Sequence, residues 1–259
     1  MKPRRQDKQR ELEFFDVSRD EAFDLHESDF YLVVRERITQ HAKPLLTGEH
    51  HILEAGCGTG AFGRYLIRSI GEKAVWNVMG VDIAPAMIAW NERHPQPYYR
   101  SQVGDLEYET LFAPETFDAA LCPMVLHHFP DPQAALKNIS VWLKPGGYLC
   151  IVEPNGSSPV NRFSKFIRHC IEKLMGLEYA KRFATVNETD HSMKSYIRWL
   201  AQNGLTPVYT ETSHPPVSKK PHDWIGWTRR CMYKMTDLLK QPYCGSVIII
   251  IAQNQVHSD

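Results

Sequence analysis

The 259-residue sequence predicts an α/β domain, a doubly wound, seven-stranded, mostly parallel sheet with helical cap insertions. Three observations predict it. Short apolar runs alternate with helical patterns as far as about residue 155, the rhythm of strand–helix–strand crossovers that lay strands parallel. The first of these runs, "HILEA" (51–55), leads into "GCGTGA" (56–61), a glycine-rich turn that opens a helix. The longest apolar run, "SVIIIIA" (246–252), is far too short to span a bilayer and reads as a buried strand.

The elements follow in order. From Phe14 to about Leu46 the pattern is helical, and "FYLVVRERITQHAKPLL" (30–46) sets Tyr31, Val34, Ile38 and Leu45 near one stripe. Residues 1–46 are expected to form an N-terminal helical lid, and 47–259 the sheet domain. "HILEA" is a strand with the helix "AFGRYLIRSI" behind it. "NVMGVD" (77–82) is the second strand, and "APAMIAWNER" a helix with Pro85 in its first turn. "YYRSQV" (98–103) and "FDAALC" (117–122) are the third and fourth strands, the latter followed by the helix "DPQAALKNISVWL". "KPGG" reads as a turn before the fifth strand, "YLCIVEP" (148–154). Beyond Pro154 the rhythm breaks, with cap insertions at about 155–190 and 214–243. Between them lie the helix "HSMKSYIRWLAQNG" and the strand "LTPVYTET".

Composition narrows the function. Lys+Arg and Asp+Glu both number 30, so no global charge draws the chain to nucleic acid or to an anionic membrane, and neither is expected as a partner. Six cysteines without C-x-x-C spacing suggest free thiols in a reducing compartment, and the charged start "MKPRRQDKQRELEFF" lacks a signal-type apolar core; a cytoplasmic protein is expected. The histidines complete no zinc spacing, so no metal is expected. In "KKPHDWIGWTRRCMYK" (219–234), basic and aromatic residues mix as on a nucleic-acid surface, but in a neutral chain a cap helix with Trp224 and Trp227 turned inward is the expectation.

At a strand-to-helix turn, glycines let the backbone approach a ligand and the helix amides face it. Taken alone, "GCGTGA" also satisfies the dinucleotide pattern, with Asp82 about where a ribose-binding acid belongs. Glu54 shifts the balance: a carboxylate beside the turn is awkward for a pyrophosphate but suits a ligand with an ammonium and a sulfonium. A second acid, Asp105, follows the third strand in "VGDLE". With "LEAGCGTG", "GVDIAPAMI", "GDLE", "FDAALCPMVLHHFPDP" and "LKPGGYLCIVEP" in this order over about residues 50–155, the chain resembles a class I S-adenosylmethionine-dependent methyltransferase of the small-molecule type, with a Rossmann-like fold.

The resemblance implies S-adenosylmethionine as cofactor and assigns its contacts. Gly56, Gly58 and Gly60 would line the methionine and sulfonium side, with Glu54 near the amino group. Asp82 would take both ribose hydroxyls, Ile83 and Met87 would pack on the adenine, and Asp105 would read the adenine amine with the Leu106 amide beside it. Cys122 would offer its backbone carbonyl to the ammonium. Plainer readings stand beside these: Asp82 as a helix cap, Asp105 as a turn acid, Cys122 as a packed small residue. His127 and His128 are candidate bases, although adjacent residues cannot share one face of a regular element and this His pair occurs in relatives with unlike substrates.

The expected activity is methyl transfer to a nitrogen or oxygen of a small molecule, such as a secondary metabolite, in an enclosed pocket; the sequence leaves monomer and homodimer open. Two alternatives stay open. One is a cyclase on the same fold that releases methylthioadenosine and forms azetidine-2-carboxylate, with Asn155 orienting the amine; the other is a non-catalytic partner subunit.

Overall fold

The computed structural model describes residues 29–175, 189–214, 234 and 245–255. Seven strands form one sheet: β1 (Gly48–Ala55), β2 (Ala74–Asp82), β3 (Tyr99–Val103), β4 (Phe117–Pro123), β5 (Leu143–Pro154), β6 (Leu205–Ser213) and β7 (Val247–Asn254). Their order is β3-β2-β1-β4-β5-β7-β6. Strands β1 to β5 pair in parallel, and β7 runs antiparallel to both of its neighbours, β5 and β6. The six helices are α1 (Asp29–His41), α2 (Ala61–Ser69), α3 (Pro85–Arg93), α4 (Pro132–Trp142), α5 (Pro159–Met175) and α6 (Met193–Gln202), counted among the described residues.

The all-apolar run of β7 follows from its position. Helices cover both faces of the sheet, so both rows of a central strand are buried. Ile248 and Ile250 join the layer under α4 and α6, with Leu136, Ile139, Trp142, Tyr196 and Leu200. Ile249 and Ile251 join the opposite layer under α1 and α2, with Val34, Ile38, Phe62, Leu66 and Trp76. Proline starts α3 and α4 at the first helical position, where its missing N–H costs nothing, and Asp131 caps α4 by accepting from the amides of Gln133 and Ala134.

Two expectations change. Residues 31–45 of the expected lid are part of the core: Tyr31, Val34, Ile38, Ala42 and Leu45 are all buried against the sheet, and Trp76 donates its indole N–H to the Leu45 carbonyl at 2.8 Å. Arg37 binds Glu211 of β6 through Nε at 2.6 Å and Nη2 at 3.2 Å, and the His41 ring stacks on Tyr209 with centroids 4.0 Å apart. Residues 1–28 of that lid lie outside the described residues. The "KPGG" turn is the second change. It falls inside β5, which starts at Leu143, and the β4–β5 register shifts there, with Phe117 opposite Leu143 but Ala119 opposite Tyr148. The turn geometry survives as an irregularity of the strand, with Gly146 at φ 79°.

Of the cap insertions, α5 is described, while 176–188 and most of 214–243, including Trp224 and Trp227, lie outside the described residues. Among the described residues no helix is long and apolar enough to cross a membrane.

Candidate active site

The strand order reverses between β1 and β4, and in an open α/β sheet ligands bind at the carboxyl ends of the strands at such a switch point. Two turns meet there, one after β1 and one after β4.

The turn after β1 has all three glycines in the left-handed region, at φ 60°, 51° and 71° for Gly56, Gly58 and Gly60. Their reasons differ. A Cβ on Gly56 would run into the Val125 side chain, and one on Gly60 into the Tyr99 ring; one on Gly58 would meet nothing within 4 Å. So the outer two glycines are needed for packing, and the middle one keeps its side of the turn open. The same Gly58 is tied at both ends of its backbone: its N–H donates to Asp82 Oδ2 at 2.8 Å, and its carbonyl accepts from Asn91 Nδ2 at 2.8 Å.

Asp82 ends β2 half-buried, and its other oxygen accepts the Ala84 amide at 2.9 Å. The helix-cap reading is therefore half right: Asp82 holds the start of α3, and it also holds the glycine turn. Burial pushes its carboxyl upward, opposed by the Ala84 and Gly58 amides. Ile83 is half-buried and Met87 is buried. Asp105 is half-buried and accepts the Glu107 amide at 2.9 Å; Leu106 is buried, and its carbonyl accepts from Asn138 Nδ2 at 3.0 Å. Cys122 is fully buried at the end of β4, where burial raises its thiol well above the usual range, so its side chain is no nucleophile.

Glu54 is a correction. It does not line the open side of the turn: it is 1% exposed, and its oxygens accept from the Gly63 amide at 2.9 Å and the Tyr99 hydroxyl at 2.7 Å. Burial pushes its carboxyl from 4.5 up to about 7, against the pull of those two bonds and of Arg64. Arg64 is itself buried, donating to the His94 carbonyl at 2.6 Å and to Asn91 Oδ1 at 3.0 Å, with its guanidinium 4.7 Å from the Tyr99 ring centroid. Its two oxygens are taken by the Gly63 amide and the Tyr99 hydroxyl, and Glu54 acts as a pin beneath the turn. Tyr99, Arg64 and Asn91 complete this underside, and sequence reading missed all three because each partner comes from a different element.

The turn after β4 is built differently. Met124 sits in the left-handed region at φ 57°, although it is not glycine, and it is 40% exposed. Glu153, fully buried at the end of β5, accepts from three successive amides: Val125 at 2.8 Å, Leu126 at 2.7 Å and His127 at 3.2 Å. Its fourth bond, at 2.6 Å, is to His127 Nδ1. Tyr196, also fully buried, faces this carboxylate; burial first and then the Glu153 charge push its phenol upward. Glu153 stood in the quoted "VEP" but was not singled out; an acid ending a buried strand was the available signal.

The two histidines part as adjacent residues must. His127 is buried with its ring on Glu153, whereas His128 is half-buried, and their rings still lie 4.0 Å apart at a tilt of 41°. Asn155 is a second correction. It is buried, donates to the Gly245 carbonyl at 2.7 Å and accepts the Ser157 amide at 3.0 Å, so its side chain is taken up as a clamp between the end of β5 and the residues that lead into β7. Among the described residues, no three His, Cys, Asp or Glu side chains gather as a metal-ligand set.

Comparison with known proteins finds relatives over part of the chain. The family described as "Methyltransferase domain" matches residues 53–151. A ubiquinone biosynthesis O-methyltransferase of Coxiella burnetii (strain RSA 331 / Henzerling II) is 30% identical over 164 residues, which cover 60% of this chain and 63% of that protein. A protein of the same name from Xylella fastidiosa (strain 9a5c) is 31% identical over 166 residues, covering 60% of each. The chain thus spans less than two thirds of the length of these relatives. Among solved structures, a SAM-dependent methyltransferase from Archaeoglobus fulgidus shares the fold with a TM-score of 0.58 at 17% identity, covering 89% of this chain and 99% of that one.

Proposed function

We propose that the chain is a class I S-adenosylmethionine-dependent methyltransferase, its residues 53–151 matching the family described as "Methyltransferase domain", and that it moves a methyl group from S-adenosylmethionine to an oxygen or nitrogen of a small molecule. The observation that carries this is the Gly58–Asp82 pair: an open-sided turn at the switch point, held by the acid that ends the next strand. The residues fit the cofactor. Gly58 leaves room where any side chain would intrude, and Asp82 is half-buried rather than sealed; a carboxylate has about four lone-pair positions, more than the Gly58 and Ala84 amides occupy.

When bound, S-adenosylmethionine supplies a methyl on a sulfonium, a good leaving group. The chain's own residues bind and orient. Gly56, Gly58 and Gly60 shape the turn for the methionyl end, Asp82 accepts from the ribose hydroxyls, and Ile83 and Met87 give the adenine an apolar slot. Asp105, with the Leu106 amide, reads the adenine amine, and the Cys122 carbonyl accepts from the ammonium. His128 rather than His127 takes a proton from the acceptor, because His127 is sealed onto Glu153. In-line attack needs mainly proximity and alignment, so weak base assistance suffices. The names of the Coxiella and Xylella relatives favour oxygen over nitrogen. The cyclase reading draws on Asn155, and a buried clamp gives it no support.

Calorimetry with S-adenosylmethionine and, separately, NAD tests the reading: binding of the first and not the second is expected. Mass spectrometry then follows demethylation in the presence of small phenols and amines. Tight NAD binding without any response to the sulfonium overturns the proposal, as does catalytic release of methylthioadenosine by the enzyme alone.

A further inference from the structure

Helix α5 leaves the carboxyl end of β5, on the same edge of the sheet as the two turns. Its first turn is bolted down. Val160 is buried, Asn161 Nδ2 donates to the Asn155 and Ser246 carbonyls at 3.0 and 2.7 Å, and Lys165 binds Asp190 at 2.9 Å. Beyond it, three apolar side chains face outward. Phe163, Phe166 and Ile167 are 51%, 61% and 38% exposed, at the i, i+3, i+4 spacing of one helix face. Soluble proteins do expose single apolar residues, but a row of two phenylalanines and an isoleucine on one face marks a binding surface.

Charge says what the row meets. The whole chain is neutral, with 30 cationic and 30 acidic side chains, yet α5 carries Arg162, Lys165, Arg168 and Lys173 against one acid, Glu172. Arg162, His169 and Lys173 are exposed and spaced i, i+7, i+11, on the helix row that also holds Phe166. An apolar stripe edged by cations is the pattern of a helix that lies in the plane of a membrane interface. A second copy of the chain fits poorly, because a two-fold contact through this stripe would set the cation row against itself.

We infer that α5 docks the protein on an anionic lipid surface, Phe163, Phe166 and Ile167 entering the headgroup boundary while Arg162 and Lys173 meet lipid phosphates and carboxylates. This goes beyond the methyl-transfer reading and does not depend on it. It also revises the expectation of no membrane partner, which rested on the charge of the whole chain; the relevant charge is local to one helix.

The test is co-sedimentation of the full chain with vesicles of phosphatidylcholine, with and without a minority of phosphatidylserine. Binding that requires phosphatidylserine and weakens as salt is raised is expected. Replacing Arg162 and Lys173 by alanine should weaken it roughly 25-fold, about fivefold for each cation near the surface. Phe163→Ser with Phe166→Ser should abolish it. All these side chains are exposed, so circular dichroism melts and S-adenosylmethionine calorimetry should match the parent, which separates loss of docking from loss of fold or of cofactor binding. Absence of phosphatidylserine-dependent binding, or binding that survives the double serine variant, overturns the inference. So does a concentration-dependent dimer, seen in sedimentation equilibrium, that the serine variant dissolves.

Discussion

The two turns at the switch point perform the same task by opposite means. Each is pinned by a carboxylate from the end of the neighbouring strand: Asp82 of β2 holds the turn after β1, and Glu153 of β5 holds the turn after β4. The first is soft chemistry around glycine, half-buried, with acceptor capacity beyond its two backbone bonds. The second is sealed, with four bonds to one fully buried carboxylate and a non-glycine residue forced into the left-handed region. What separates the two acids is not position at a strand end, which both share, but how much of each one's hydrogen-bonding capacity the protein itself consumes, and the proposed ligand role of Asp82 rests on that difference.

That contrast breaks first at Glu153. Glu153→Ala leaves three buried amides and the His127 ring without their acceptor and should cost about 3–5 kcal/mol in urea unfolding. A loss under about 1 kcal/mol would mean that water or another group takes over, and the sealed-turn description falls. Asp82→Ala should behave the other way round. Unfolding stability should drop by no more than about 1 kcal/mol, since water can reach the amides it leaves, whereas S-adenosylmethionine affinity should fall by roughly 1.5–3 kcal/mol for each charge-assisted bond lost. Equal calorimetric affinities for parent and variant would reduce Asp82 to a cap.

Glu54 sharpens the comparison through pH. Its folded-state carboxyl is raised from 4.5 to about 7, so the native state holds a proton that the unfolded chain has given up. This group's contribution is therefore full below 4.5 and is lost as pH climbs to about 7. Glu54→Gln carries no such proton; its urea midpoint relative to the parent should rise steadily across that interval, and a constant difference refutes the shift. The smallest effect belongs to Met124→Gly. Relieving a left-handed non-glycine is worth about 1–3 kcal/mol, offset by the roughly 0.5–1 kcal/mol that glycine's freedom costs, for a net gain of about 1 kcal/mol in thermal unfolding. A lower melting temperature would show that the Met124 side chain holds the turn more than its backbone strains it.

How much of this was legible follows from which contacts are local. The strand–helix rhythm needs only the chain's own periodicity, and it gave the sheet. Asp82 was legible because a strand, an acid and an upstream glycine turn are all visible in one short stretch. The three glycines looked alike, yet Gly56 is required by Val125 and Gly60 by Tyr99, neighbours that only the folded sheet supplies. Glu54 was misread for the same reason: its burial comes from Tyr99 on another strand, and a carboxylate beside a turn looks the same in sequence whether it points out or in. The "KPGG" turn had the right chemistry but not the right place, since strand pairing with β4 absorbed it into β5.

The position of β7 has a consequence for how the chain is made. It lies between β5 and β6, although it follows both in sequence, and it contributes Val247, Ile249 and Ile251 to the surface on which α1 rests. Helix α1 precedes every described strand, yet part of its seat is delivered by β7, which follows the other six, and among the described strands β6 has no hydrogen-bonded neighbour but β7. Until β7 is in place the half-built sheet therefore carries an open β5 edge and an incompletely covered apolar face on α1, the kind of exposed surface on which nascent chains associate with one another or with chaperones. Closure is a long-range event that couples α1 to β7, so a polypeptide stalled before residue 245 would hold a nearly complete glycine turn on a scaffold that cannot yet lock.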